Sequence, residues 1–327
     1  MRITPTTRLL APLLVALLAA LLALAGCQGK PAESASPRVG IKIIMVTHGQ
    51  AGDPYWSVVK HGADDAARDL GVSVSYQAPQ SYDVFEMQKL LEGAIAQHPA
   101  GIAVSIPDAD ALGPLIKKAV AAGIPVVSLD SGERDAAKLG VLTHVGASEF
   151  DAAKLAGERF GAEGVKKLAC LNHEQGNVSL DVRCEGLRAG LAETGGTATN
   201  LAINGKDPTD SQQRLTTAFR SGSYDGAIAL GPVGVGPMLA AAKTTGFTGK
   251  LASFDLSPEI LQAIDAGTAE FAIDFQQYLM GYLPVLYLVQ HAQYQLSPSQ
   301  AITPTGPAFV TKENASKILK LTQQGVR

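Results

Sequence analysis

Twelve polar or aromatic side chains of this 327-residue chain stand where an apolar run ends, or just beyond it. After VGIKIIMV come His48, Asp53, Tyr55 and Trp56, and after IPVVSL come Asp130 and Ser131. KKLACL leads to Asn172 and His173, with Arg183 in the segment that follows. KLASF ends in Asp255, and AEFAID is followed by Phe275 and Gln276. Three carboxylates, a guanidinium, amides and flat rings form a set that binds rather than reacts. Charged groups make paired hydrogen bonds, and rings cover an apolar face, a mixture suited to a small polyhydroxylated molecule. Hydrogen bonds to charged groups contribute roughly 1.5–3 kcal/mol each. Three or four of them with one stacked ring support micromolar binding, about −8 kcal/mol, after the costs of association.

Catalytic patterns are missing. The chain has no Gly-x-Ser-x-Gly elbow, no His-Glu-x-x-His and no phosphate loop. GPVGVG follows an apolar run but lacks dinucleotide spacing and a partnered acid, so no cofactor is expected. Nor is a metal: Cys170 and Cys184 have no ligand partners at zinc spacing, and no acidic calcium loop is visible. The three aspartates have acid–base capacity but no nucleophile beside them. The expectation is a binding protein, not an enzyme.

The elements that position these residues alternate. VGIKIIMVTHG, VSVSYQAP, GIAVSIP and IPVVSLDS are short, β-branched and closed by Gly, Pro, Asp or Ser. Between them Val84, Met87, Leu91 and Ile95 mark one helix face, and Leu115, Ile116 and Ala119 part of another. The alternation resumes with KKLACLNH, DGAIALG, KLASFD and AEFAIDF. Repeated βα units predict an α/β fold with parallel sheets and helices on both faces. The pattern runs through twice, before and after about Ala147, which predicts two similar lobes. Ligands of open α/β sheets bind beyond the carboxyl ends of the strands, where the polar set lies.

Each position also has a purely structural alternative. Ser257 and Pro258 read as a helix cap that makes Asp255 an ordinary loop residue. Arg183 has Glu185 as a near neighbour, Tyr55 and Trp56 fit a core-facing first helical turn, His48 and His173 fit structural roles, and Asp274 fits a structural partner between lobes.

The ends bear on location. Arg2 and Arg8 precede an apolar run over residues 9–25 that closes in LAGC, the pattern of a secretory signal rather than a spanning helix. The close resembles a bacterial lipoprotein box, which makes residues 1–26 the signal peptide and Cys27 the lipidated first residue. A plain signal peptide or an uncleaved anchor is the alternative. Residues 27–38, rich in Ser, Ala and Pro, then read as a flexible tether. Loss of Arg2 and Arg8, from a leader with no acidic residue, takes the formal charge from −3 to −5. No basic run marks a nucleic-acid partner. In an oxidising compartment Cys170 and Cys184 read as a disulfide, with two buried free thiols as the alternative.

From residue 39 onward the chain resembles the type I periplasmic binding proteins of sugar ABC transporters, the ribose- and galactose-binding group. DPYWSVVKHGADDAARDLGV is similar to the family's Asn/Asp-Pro-aromatic-aromatic opening, and GIPVVSLDSG to its central strand with the ligand-binding aspartate. VRCEGLRAGL is similar to its Arg-x-x-Gly helix and LASFDLSPEIL to its Gly-Phe-Asp strand. The resemblance implies two Rossmann-like lobes joined by three crossovers near Ser148, Phe275 and Gly306, closing on a ligand by hinge bending. It divides the body into an N-terminal lobe, 39–147 plus 276–306, and a C-terminal lobe, 148–275 plus 307–327. It carries ligand contacts onto Asp53, Tyr55, Trp56, Asp130, Arg183 and Asp255. It implies a monomeric, lipid-anchored protein outside the cytoplasm that delivers ligand to an ABC permease and its ATPase. A receptor module for a chemoreceptor or sensor kinase uses the same cleft and is the alternative. Transcriptional repressors share the fold, but here a secretion signal stands in place of a helix-turn-helix.

Two departures bear on the ligand. Gly231 and Pro232 replace the family's usual Asn-Asp, and Phe275 its usual Gln, with Gln276 adjacent. Fewer amides and more apolar surface predict a shorter polyol, a deoxy sugar or another small polar metabolite rather than an ordinary pentose or hexose.

Overall fold

The computed structural model describes residues 40–49, 53–322 and 324–327. The leader, Cys27 and the tether lie outside the described residues. The first half runs β1 (Lys42–Val46), α1 (Pro54–Leu70), β2 (Ser73–Gln77), α2 (Val84–Ala96), β3 (Gly101–Ser105), α3 (Ala109–Ala121), β4 (Val126–Leu129), the single turn α4 (Glu133–Ala136) and β5 (His144–Gly146). The second runs α5 (Glu149–Ala162), β6 (Lys167–Asn172), α6 (Val178–Ala192), β7 (Thr197–Ala202), α7 (Pro208–Arg220), β8 (Gly226–Ala229), α8 (Val235–Thr245), β9 (Lys250–Phe254), α9 (Pro258–Ala266) and β10 (Phe271–Asp274). Then come α10 (Gln277–Tyr294), β11 (Ile302–Pro304), β12 (Ala308–Val310) and α11 (Ala315–Thr322).

The strands form two six-stranded sheets, ordered β11-β5-β4-β3-β1-β2 and β12-β10-β9-β8-β6-β7. The polypeptide passes between them after β5, after β10 and between β11 and β12. The pairings are parallel, as expected, apart from the short antiparallel pairing of β12 with β10 at one edge of its sheet.

Alternation along the strands builds the core. On β1, Ile43 and Met45 join one cluster with α1 and α10, while Ile44 and Val46 face α2 and α3 on the other side. Ile228 and Phe254 join the first cluster beneath α5 and α6, while Ala227, Ala229 and Leu251 meet α7, α8 and α9. Strands covered on both faces explain the continuous apolar runs. Helix α10 follows a second-sheet strand yet packs on α1 of the first lobe. Backbones touch where they cross: a Cβ on Gly281 would lie 1.9 Å from the Val59 carbonyl oxygen.

Candidate ligand-binding cleft

The strand ends of both sheets face one cavity of about 40 Å³. From the first lobe it is lined by His48, Asp53, Tyr55, Trp56, Asp130 and Ser131, and from the second by His173, Glu174, Asn177, Ser179, Leu180, Arg183, Leu230, Gly231, Pro232 and Asp255.

Local chemistry places the first set. Asp53 caps α1, accepting from the Tyr55 N–H at 2.9 Å, and Pro54 opens the helix. That turns Tyr55 and Trp56 inward on the first turn, both buried in the core while their edges line the cavity. The core-facing first turn expected for these two residues and their place at the cavity are thus compatible. The Tyr55 hydroxyl donates to Asp130, as does the Ser131 hydroxyl at 2.7 Å. His48 Nδ1 lies 2.9 Å from Ser105 Oγ. Its Nε2 reaches across the cleft to within 3.4 Å of Asn177 Nδ2 and 3.7 Å of Glu174 Oε2.

The two strand-end aspartates share an uncommon backbone. Asp130 has φ 60 and Asp255 φ 63, left-handed conformations that Asp tolerates better than most residues. Each N–H still bonds the neighbouring strand, Asp130 to the Val145 carbonyl and Asp255 to that of Ile273. The chain leaves the sheet immediately afterwards. Strain of this kind clusters at ligand sites.

Arg183 is the hub of the second lobe. Nε and Nη2 donate to Glu149 at 2.6 and 3.1 Å, and Nη1 to the Leu230 carbonyl at 2.7 Å and to Asp255 at 3.1 Å. Its guanidinium lies over the rings of Phe254, at 4.7 Å, and Phe275, at 5.2 Å. Glu185, the neighbour suggested by sequence, pairs with Arg134 instead. Burial opposes the Arg183 charge, and Glu149 with Asp255 outweighs it, so the group is held protonated. Burial pushes Asp255 up to about 7 against the pull of Arg183. Burial likewise lifts Asp53 to about 6, against the Tyr55 N–H and aided by Glu174 and Asp130.

Three predicted ligand residues lie elsewhere. Asn172 closes its own turn, accepting from the Glu174 N–H at 3.0 Å and donating to Asp181 at 3.3 Å. Phe275 is fully buried behind Arg183, a support for the guanidinium rather than a wall of the cavity. The Gln276 amide donates to the Thr305 carbonyl beside the crossover. Gln277, one residue further, brings an amide to Asp255 from behind the cavity wall: its Nε2 donates to Asp255 Oδ1 at 2.9 Å. Glu149, Glu174 and Asn177 were missed as well. Asn177 carried a signal, a polar cap before an apolar run; Glu149, 34 residues from Arg183, carried none.

Behind the site, Cys170 on β6 is joined to Cys184 on α6 as a disulfide, with a Cα–Cα distance of 5.8 Å. No helix among the described residues is long and apolar enough to cross a membrane.

A family model described as Periplasmic binding protein domain matches residues 43–296. The chain belongs to this family. Periplasmic binding proteins are extracytoplasmic, non-enzymatic solute binders, and the two-lobed α/β architecture here is their type I fold. A crystal structure of a carbohydrate transporter from Acidothermus cellulolyticus 11B in complex with myo-inositol is 34% identical with a TM-score of 0.83, covering 88% of this chain and 99% of that one. An ABC sugar transporter protein from Legionella pneumophila is 29% identical with a TM-score of 0.75, covering 81% and 99%. The xylose/arabinose-binding protein XylF of Sulfolobus acidocaldarius is 26% identical over 297 residues, 85% of this chain and 73% of that protein.

Proposed function

We propose that this periplasmic binding protein is a lipoprotein that captures one small polyhydroxylated ligand, a cyclitol or another small polyol or sugar-like molecule, and delivers it to an ABC importer. The observation that carries the reading is the convergence of both sheets' strand ends, with Asp130 and Asp255 on opposite walls, around one cavity. Its aspartates are acceptors for ligand hydroxyls, and the Trp56 edge covers an apolar patch. The relative holding myo-inositol favours the cyclitol end of that class.

Capture follows from the geometry. The cavity is walled by side chains of both lobes, so the lobes part to admit a ligand. Contacts that bridge the lobes when closed include His48 to Glu174 at 3.7 Å, the Val178 N–H to the Pro107 carbonyl at 3.1 Å, and Arg134 to Glu185 at 3.6 Å. Ligand adds bonds to both walls and shifts the population toward this closed form, which the permease recognises. The lobes comprise 39–147 plus 276–306 and 148–275 plus 307–327, the protein is a monomer, and Cys27 carries the lipid. His48, Asp53, Tyr55, Trp56, Asp130, Ser131, His173, Arg183 and Asp255 form the ligand wall.

A thermal-shift screen of cyclitols, pentoses, hexoses, alditols, amino acids and dicarboxylic acids tests the reading. A stabilising hit among the cyclitols or other polyols, lost in Asp130→Asn, is expected. Stabilisation only by compounds without hydroxyl arrays would overturn it.

A further inference from the structure

Where β8 ends, the second-lobe wall of the cavity offers few polar groups. At the end of β8 the Leu230 carbonyl is taken by Arg183, Gly231 has no side chain, and Pro232 has no N–H. The His173 imidazole fills the space. A Cβ on Gly231 would lie 2.6 Å from His173 Cε1 and 3.2 Å from Nε2, closer than real Cβ atoms come in the first case. Gly231 is extended, with φ 176, so glycine is needed here for room and not for conformation. The ring thus rests against bare backbone, on a wall that both residues line.

His173 Nδ1 is buried and has no hydrogen-bond partner among the described residues. An unmet buried nitrogen is costly, and this one is retained in a residue that lines the ligand cavity. Burial lowers the ring's pKa, with Arg183 and His48 adding to the effect and Glu174 opposing it. A neutral imidazole has one donor and one acceptor nitrogen, a match for a hydroxyl, which both donates and accepts.

We propose that Gly231 and His173 together are a specificity element: the glycine seats the imidazole at the end of β8, and the ring takes a hydrogen bond with one ligand hydroxyl at that corner. The proposal rests on the polyhydroxylated-ligand reading. Gly231 is the positioning residue and His173 the contacting one.

The test is titration calorimetry of the full-length protein, in a detergent free of sugar, with myo-inositol, D-xylose, L-arabinose and monodeoxy analogues of whichever binds. His173→Ala is expected to weaken binding tenfold or more. Gly231→Ala should weaken it similarly, and the double variant should be no worse than either single one, because both remove the same contact. One deoxy analogue should bind poorly to the native protein and lose nothing further in His173→Ala, a pattern that mere loosening of the fold would not produce. Native-like affinity in His173→Ala, or losses that add in the double variant, would overturn the element while leaving the polyol reading intact. Failure of the native protein to bind any of the three probes would overturn both.

Discussion

Arg183 donates through Nη1 to Asp255 at 3.1 Å, and the other oxygen of Asp255 accepts from Gln277. The second-lobe wall is thereby a chain of buried charges running from Glu149 on α5 to the first residue of α10. Most of Arg183's donor capacity is spent inside the protein, so its first task is to hold the carboxylates in place.

Removing the guanidinium strands two buried carboxylates. Breaking a buried pair from one side costs about 3–5 kcal/mol. Arg183→Ala should therefore lower unfolding stability by that order, measured by urea titration without ligand. A loss of ligand affinity with stability unchanged would show the guanidinium to be a free ligand clamp instead.

His144 on β5 gives a pH dependence. It is fully buried, its Nδ1 lies 3.0 Å from Ser128 Oγ, and its Nε2 has no partner among the described residues. Burial depresses its pKa from 6.5 to about 4, with Asp130 opposing. The unfolded chain takes up the proton first, so this contribution is fully present above pH 6.5 and is lost as pH falls toward 4. Two to three pH units correspond to roughly 3 kcal/mol. Asp53, raised to about 6, acts in the opposite sense, its contribution present below its unfolded value of 3.8 and lost as pH rises through 6. The comparison is therefore between native protein and His144→Leu. The variant should lose less stability than the native protein between pH 7 and 4.5, by denaturant midpoints; parallel curves would count against it.

The fold was legible because its strands are buried on both faces and end in Gly, Pro, Asp or Ser, as Ile102 to Ser105 and Val126 to Leu129 do. Strand-end residues were legible for the same reason, which is how Asp130 and Asp255 were found. Partners were not. The Glu149–Arg183 pair joins α5 to α6, and the span between them gives no periodic signal. The Gln at the hinge was sought at Phe275 or Gln276, but the chain turns through φ 56 at Gln276 and brings Gln277 to Asp255. Phe275 shows how an aromatic at a strand end serves a charge from behind.

Cys170 and Cys184 are 14 residues apart in sequence and both buried. A loop of that length is worth about 3 kcal/mol in the unfolded-chain account. Reductant should lower the melting temperature of the native protein and leave that of a Cys170→Ala/Cys184→Ala variant unchanged. Equal responses would argue for free thiols.

Anchoring through Cys27 has its own test. Labelled palmitate should be incorporated into the native protein, and Cys27→Ser should move it from the membrane fraction to the soluble one. Unlabelled, membrane-bound native protein would indicate an uncleaved leader as the anchor.

Trp56 is the only tryptophan in the chain and lines the cavity, so its emission reports the cleft alone. Titrating the full-length protein with myo-inositol, D-xylose and L-arabinose should give, for at least one of them, a saturable change in Trp56 fluorescence at micromolar concentration, matching one calorimetric site. Calorimetric binding with flat Trp56 emission would place the ligand outside the cleft and contradict the account.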